Sequence, residues 1–179
     1  MNAGKTGSLI PPGSTIGILG GGQLGRMTAL AAANLGYQCH IFCQSADEPA
    51  AQVAAQTTLA PFDDTAALAS FAARVDVTTL EFENVPIATL EHIAEQVPVF
   101  PAPSVQAVAQ NRVREKSFAN ELGIATAPFR AVADSDALAR AIAEIGTPSV
   151  LKTVRFGYDG KGQVAINADT DPAEAWAAC

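Results

Sequence analysis

The chain has 179 residues, enough for one full domain and part of another, since domains commonly run to about 100–200 residues. With 49 % hydrophobic and 16 % charged residues it can bury a core, and a formal net charge of -7 speaks against general nucleic-acid binding, which needs a basic footprint. Three cysteines without a CxxC pair indicate neither a disulfide framework nor a zinc site and point to a reducing, cytoplasmic compartment, and no apolar run approaches the ~18 residues of a membrane span.

Met1 to Ser14 reads as a flexible extension without the apolar stretch of a secretory signal; its Gly4-Lys5-Thr6 lacks the upstream glycine and strand of a P-loop. Thr15 to Gly20 predicts a short buried strand. Gly20, Gly22 and Gly25 then fit G-x-G-x-x-G at the turn into a helix whose Leu24, Met27, Ala31 and Leu35 repeat at helical spacing. Gly36 closes that helix, and Gln38 to Phe42 reads as the second strand. Thr57 to Ala60 is a short third strand, Asp63 or Asp64 caps a helix bearing Leu68 and Phe71, and Asp76 to Glu81 is the fourth strand. Pro86 suits the first turn of a helix with Ile87, Leu90, Ala94 and Val97 on one side, before a fifth short strand at Val99-Phe100. Such alternation gives an α/β, Rossmann-like parallel sheet covered on both faces.

Pro101-Ala-Pro103 and the polar run Gln110 to Lys116 place a domain boundary near residue 112. Beyond it a helix through Phe118 and Leu122 ends at Gly123. A Pro128-Phe129 strand leads to a helix with Leu138, Ala141, Ile142 and Ile145, ended by Gly146 and Pro148, and Asp171 to Cys179 starts another helix.

Between these last two helices lies Lys152-Thr-Val-Arg-Phe-Gly-Tyr-Asp-Gly-Lys-Gly-Gln163, the segment richest in chemistry. Gly157, Gly160 and Gly162 let the backbone approach an anion and aim N–H groups at it, while Lys152, Arg155 and Lys161 supply positive charge to an acidic chain. The spacing is not that of a P-loop. Val150-Leu151 and Val164-Ala165-Ile166 are strand-like and Asp159-Gly160 is a good turn, so a plain basic hairpin is the alternative; hairpins of this kind also fold over nucleotide phosphates.

The glycine turn after the first strand is a dinucleotide fingerprint only if an acid follows ~20 residues on, at the end of the second strand. Cys43-Gln44-Ser45 stand there, with Asp47 and Glu48 a little late, which disfavours a nicotinamide or flavin site. The turn still offers N–H groups at the carboxyl edge of a parallel sheet, where Gln23 and Leu24 would line a crevice. Glu81, Phe82, Glu83 and Asn84 fall at the same edge, Glu81 and Glu83 sharing a face if the chain is extended there; they suit hydroxyls or an amine, or are merely solvated acids. Arg112, with Arg114, Glu115 and Lys116, is either a solvated helix face or, beside Lys152, a second cation for a triphosphate. His40 and His92 are isolated, and no nucleophilic set or histidine metal pair is found.

Five segments in order, Ile18 to Met27, Leu80 to Pro86, Gln110 to Phe118, Thr126 to Phe129 and Leu151 to Gln163, make residues 15 to 166 resemble the 5-(carboxyamino)imidazole ribonucleotide synthase family, ATP-grasp enzymes of purine synthesis. The resemblance implies a preATP-grasp domain at 15–112 followed by the first lobe of an ATP-grasp domain at 113–179. It also implies a reaction in which ATP phosphorylates bicarbonate and the product carboxylates the amine of 5-aminoimidazole ribonucleotide. By the same carry-over Arg112 and Lys152 hold the phosphates while Gly157, Tyr158, Asp159, Gly160, Lys161, Gly162 and Gln163 close over them. Gln23, Leu24 and Glu83, with Glu81 and Asn84 beside them, bind the ribonucleotide. Tyr158 and Asp159 face the reacting centre, Asp159 orienting the amine or handling its proton. Two positions depart from the family: Asn111 stands where an aspartate is expected, and Val154 where a basic residue is expected. The resemblance puts the Mg2+ ligands beyond residue 179, makes this length inactive by itself, and leaves room for a homodimer. Alternatives are a formate-dependent glycinamide ribonucleotide transformylase, for which a glutamate is expected at Gln23, an NAD(P)-binding oxidoreductase domain, and a non-catalytic binding module.

Overall fold

The computed structural model describes residues 9–157 and 161–179. They form two compact units, one running to Ala107 and the other from Val108 to Cys179.

The first unit is built on four parallel strands, β1 (Thr15–Leu19), β2 (Gln38–Cys43), β3 (Gln56–Leu59) and β4 (Val77–Leu80), in the order β3-β2-β1-β4. Alternation along β1 and β2 sorts the apolar residues onto two faces. Ile18, Cys39, Ile41 and Cys43 pack with Ala29 and Ala32 of α1 (Gln23–Asn34). Leu19 and Phe42 pack on the opposite side with Leu68 and Phe71 of α2 (Thr65–Ala72) and Leu90 and Ile93 of α3 (Ile87–Ala94). Asp64 is the residue that caps α2, its side chain accepting from Ala67 N at 2.9 Å.

Phe71 is the centre of this second core. It is fully buried, meets the edges of His40 and Phe42 at centroid distances of 4.9 and 5.5 Å, and occupies the space where a side chain at position 17 would stand. A Cβ on Gly17 would lie 2.6 Å from its ring, so the glycine in β1 is a packing requirement.

The helical period over residues 24–35 is real, but α1 buries a different face, about 120° round the helix. Gly25, Ala29 and Ala32 meet the sheet, and Leu24, Met27, Ala31 and Leu35 are exposed. The contact is too close for long side chains: a Cβ on Gly25 would sit 3.2 Å from both Ala50 Cβ and Gly20 O. Val99-Phe100 is not a strand. Val99 makes one parallel bridge to Thr78, and Pro98 and Pro101 on either side have no N–H to extend a ladder. A helix, α4 (Pro103–Ala109), runs from the end of the Pro101-Ala-Pro103 segment to the polar run that begins at Gln110.

The second unit contains α5 (Arg112–Glu121), α6 (Ser135–Ile145), the antiparallel pair β5 (Ser149–Lys152) and β6 (Gln163–Ile166), and α7 (Pro172–Ala178). Its core is small: Leu138, Leu151, Ile166 and Ala175, with Val132, Ile142, Val164 and Cys179 against it. α5 buries none of its residues. It ends at Leu122 with Gly123 at φ +76°, as the sequence predicts. Pro128-Phe129 is not a strand but part of an irregular connection, since Pro128 has no N–H to give a ladder and neither residue is paired. Among the described residues no helix is long and apolar enough to cross a membrane.

Candidate functional site

Each unit carries, among the described residues, an arrangement able to meet a ligand. In the first, β1 ends in a turn that brings Gly20, Gly21 and Gly22 under the end of β4. Gly20, at φ +106°, donates to Phe42 O at 2.9 Å, and Glu81 N donates to Leu19 O at 3.1 Å, so the two strand ends are fixed side by side. Only glycine fits in this turn: a Cβ at 20 would lie 2.9 Å from the Phe82 ring, and one at 21 would lie 2.5 Å from Glu48 Oε2.

Gly20, Gly21, Gly22, Gln44, Glu48, Phe62, Glu81 and Phe82 line a cavity of about 290 Å³ at this edge. Glu81 Oε2 accepts from Gly25 N at 2.8 Å. Glu48 Oε1 accepts from Gln44 N and Ser45 N, both at 2.9 Å. The remaining carboxylate valences are acceptors, so the crevice suits groups that donate: hydroxyls, an amine or amide N–H. Burial and then the Glu48 carboxylate push the thiol of Cys43, beside it, above the ordinary cysteine value, which disfavours the reactive thiolate.

Of the residues expected here, Glu81 and Phe82 line the cavity, whereas Gln23, Leu24, Glu83 and Asn84 do not. The reason is local. β4 stops at Leu80 and the chain bends through 81–84, so Glu81 and Glu83 do not alternate as in an extended strand. Glu83 is instead exposed, its carbonyl accepting from Gln106 Nε2 and its carboxylate from Asn84 Nδ2 at 3.3 Å. Gln23 and Leu24 are exposed on the first turn of α1. Glu48, Gln44 and Phe62 were missed as cavity residues. The acids at 47 and 48 could have drawn attention as late members of the fingerprint, but no pattern gives the fold-back of the loop after β2.

In the second unit Lys152 is the last residue of β5, paired in register with Gln163, and exposed. The ladder continues one step into the loop, where Thr153 N donates to Gly162 O at 2.9 Å. Gly162 sits at φ +63°, and a Cβ there would be 2.6 Å from Thr153 Oγ1. That hydroxyl is buried without a hydrogen-bond partner among the described residues. The start of α5 holds the other side: Arg112 N donates to Val154 O at 3.1 Å, and Arg112 Nη2 donates to Gly157 O at 2.7 Å. Arg155 Nη2 donates to Gln110 Oε1 at 2.8 Å and its guanidinium lies over the Phe156 ring.

The loop thus leaves the hairpin with both ends fastened and with the Lys152 and Arg112 cations at its root. Gly157 and Gly162 are part of that fastening, Lys161 is exposed, and Tyr158, Asp159 and Gly160 lie outside the described residues. Asn111 and Val154 have physical explanations. Asn111 Oδ1 accepts from Val113 N and Arg114 N at 3.1 Å each, a cap that asparagine and aspartate make equally well. Val154 contributes its carbonyl, which any residue would supply. Among the described residues no group of three or more His, Cys, Asp or Glu could hold a metal ion.

Comparison with known proteins agrees with this division. The family model of the ribonucleotide synthetase preATP-grasp domain matches residues 14–110, and that of the ATP-grasp domain matches residues 117–179. The N5-carboxyaminoimidazole ribonucleotide synthase of Brucella melitensis is 49 % identical over 171 residues, a match covering 94 % of this chain and 47 % of that protein. The crystal structure of N5-carboxyaminoimidazole synthetase from Staphylococcus aureus complexed with ADP superposes with a TM-score of 0.89 at 37 % identity, over 94 % of this chain and 45 % of that one. The Aspergillus clavatus N5-carboxyaminoimidazole synthase in complex with ADP and 5-aminoimidazole ribonucleotide gives a TM-score of 0.82 at 30 % identity, over 92 % and 43 %. The chain spans about half the length of these relatives.

Proposed function

The chain belongs to the ribonucleotide synthetase preATP-grasp family and continues into an ATP-grasp domain, and we propose that the complete protein carboxylates 5-aminoimidazole ribonucleotide with bicarbonate at the expense of ATP. The observation that carries the proposal is the loop rooted at Lys152. Both its ends are fastened, Arg112 is tied to Gly157 O, and glycine is required at 162. Phosphoryl transfer needs positioned cations and N–H groups more than covalent assistance, and such a root provides them. That two relatives of this fold are crystallised with ADP supports an adenine nucleotide as the ligand.

In this proposal Lys152 and Arg112 neutralise the triphosphate while residues 157–163 close over it, and a bicarbonate oxygen attacks the γ-phosphorus in line. The P–O bond to ADP breaks as the new one forms, giving carboxyphosphate. Water must be kept out, since a mixed anhydride hydrolyses readily. The ribonucleotide occupies the crevice lined by Glu81 and Glu48; the family resemblance adds Gln23, Leu24, Glu83 and Asn84 as further contacts to it, which the cavity lining itself does not include. Its amine attacks the carboxyl carbon, or the CO2 released from it, and phosphate leaves. Asp159, with Tyr158, orients the amine or accepts its proton. Magnesium would supply further charge neutralisation at the nucleotide phosphates; among the described residues no group of three or more His, Cys, Asp or Glu could hold it, and we assign it no ligand here. The same proposal sets the enzyme in the cytoplasm, with a homodimer as one assembly.

ADP release by the complete protein, measured with each substrate omitted in turn, tests this. Release should require both 5-aminoimidazole ribonucleotide and bicarbonate. Equal release with formate and glycinamide ribonucleotide would reassign the chemistry to the transformylase.

A further inference from the structure

In a G-x-G-x-x-G turn the N–H groups of the first helical turn lack intrahelical partners and receive a phosphate. Here that position is already filled, and by the protein's own carboxylate. Gly25, the third residue of α1, donates to Glu81 Oε2 at 2.8 Å, doing for the helix what the side-chain-less N-cap Gly22 cannot. The same carboxylate overlies Gly22, so that a Cβ there would strike Oε1 and lie 3.0 Å from Cδ. Glu48 covers the neighbouring Gly21, its Oε1 anchored by Gln44 N and Ser45 N. The backbone surface that a pyrophosphate would use is thus covered by two acids from elsewhere in the chain.

Resting on the proposed function, we infer that Glu81 is the specificity determinant of this crevice. It takes the anion position on α1, excludes phosphate groups from the glycine turn, and leaves the cleft to the hydroxyl- and amine-bearing side of a ribonucleotide. The phosphate of that substrate is then held away from the turn. Phe62 and Phe82, both lining the same cavity, offer flat apolar surface to a sugar or a small ring.

The test uses inorganic pyrophosphate as the probe and the 179-residue chain labelled with 15N, titrated at constant ionic strength. In the unsubstituted protein the Gly22 and Gly25 amide resonances should show no saturable shift. In Glu81→Ala they should shift and saturate, with binding tighter by roughly tenfold or more once the like charge and the plug are gone. Should Glu81→Ala not fold, Glu81→Gln, isosteric and still an acceptor for Gly25 N, serves the same comparison and should bind pyrophosphate more tightly than the unsubstituted chain. Saturable binding at these amides with Glu81 in place, or no gain in the variant, overturns the inference. No ribonucleotide or ATP is present, so loss of the substrate dependence described above would sink the proposed function without touching this result, and the reverse also holds.

Discussion

Gly162→Ala probes the root of the phosphate loop with two separable penalties. At φ +63° an alanine costs about 1–2 kcal/mol relative to glycine. Its Cβ would also lie 2.6 Å from Thr153 Oγ1 and 3.0 Å from Thr153 Cγ2, an overpacking of the kind that costs about 1–3 kcal/mol. Together they should destabilise the second unit by about 2–5 kcal/mol. The single tryptophan, Trp176 in α7, lies in that unit, so its fluorescence during urea unfolding reports the loss directly. With a slope of ~2 kcal/mol/M the midpoint should fall by about 1–2.5 M. Thr153→Ala in the Gly162→Ala background removes the atoms struck and should recover the steric part while leaving the backbone part. It also removes a buried hydroxyl that has no partner among the described residues. A Gly162→Ala midpoint equal to that of the unsubstituted chain, or a double variant no more stable than the single one, would refute the packing described here.

Three further outcomes are expected. Burial and then Arg74 lower the pKa of His40, whose Nε2 is hydrogen-bonded to Thr58 Oγ1 at 2.8 Å, so the unfolded chain binds the proton more readily. Stability from this residue is fully present above the unfolded value near ~6.5 and is lost as pH falls from there toward the folded value; thermal unfolding between pH 5 and 8 should show that slope, and His40→Gln should flatten it. Cys39 and Cys43 are buried with raised pKa values while Cys179 is part-exposed, so a thiol reagent should label Cys179 first and the other two only on unfolding. Labelling of Cys43 in the folded chain at the Cys179 rate would contradict its burial. In the complete protein, Arg112→Lys loses the hold on Gly157 O and should raise the KM for ATP roughly tenfold or more; an unchanged KM would remove Arg112 from the loop's support.

The parallel sheet was legible because β1 and β2 are short apolar runs separated by a glycine-bounded helical period, and that pattern admits few arrangements. What the pattern could not give was the face of α1. Leu24, Met27 and Leu35 look like a core stripe by hydrophobicity, but the close approach of helix to sheet selects Gly25, Ala29 and Ala32, a choice made by distance rather than polarity. Val99-Phe100 and Pro128-Phe129 failed as strands through their flanking or internal prolines, whose missing donors outweigh β propensity. In the phosphate-loop candidate, Gly162 was legible because its positive φ and the closeness of Thr153 permit little else. Glu48 was not, since its place depends on a loop that folds back after β2, and Glu83 was misplaced by assuming an extended chain beyond Leu80.

The account rests on bicarbonate being activated by phosphorylation on the ATP held at the Lys152 loop. Turnover of the complete protein with 18O-labelled bicarbonate, 5-aminoimidazole ribonucleotide and unlabelled ATP tests this most directly. Carboxyphosphate formation predicts one 18O atom transferred into each inorganic phosphate released. Phosphate free of label during full turnover would contradict it.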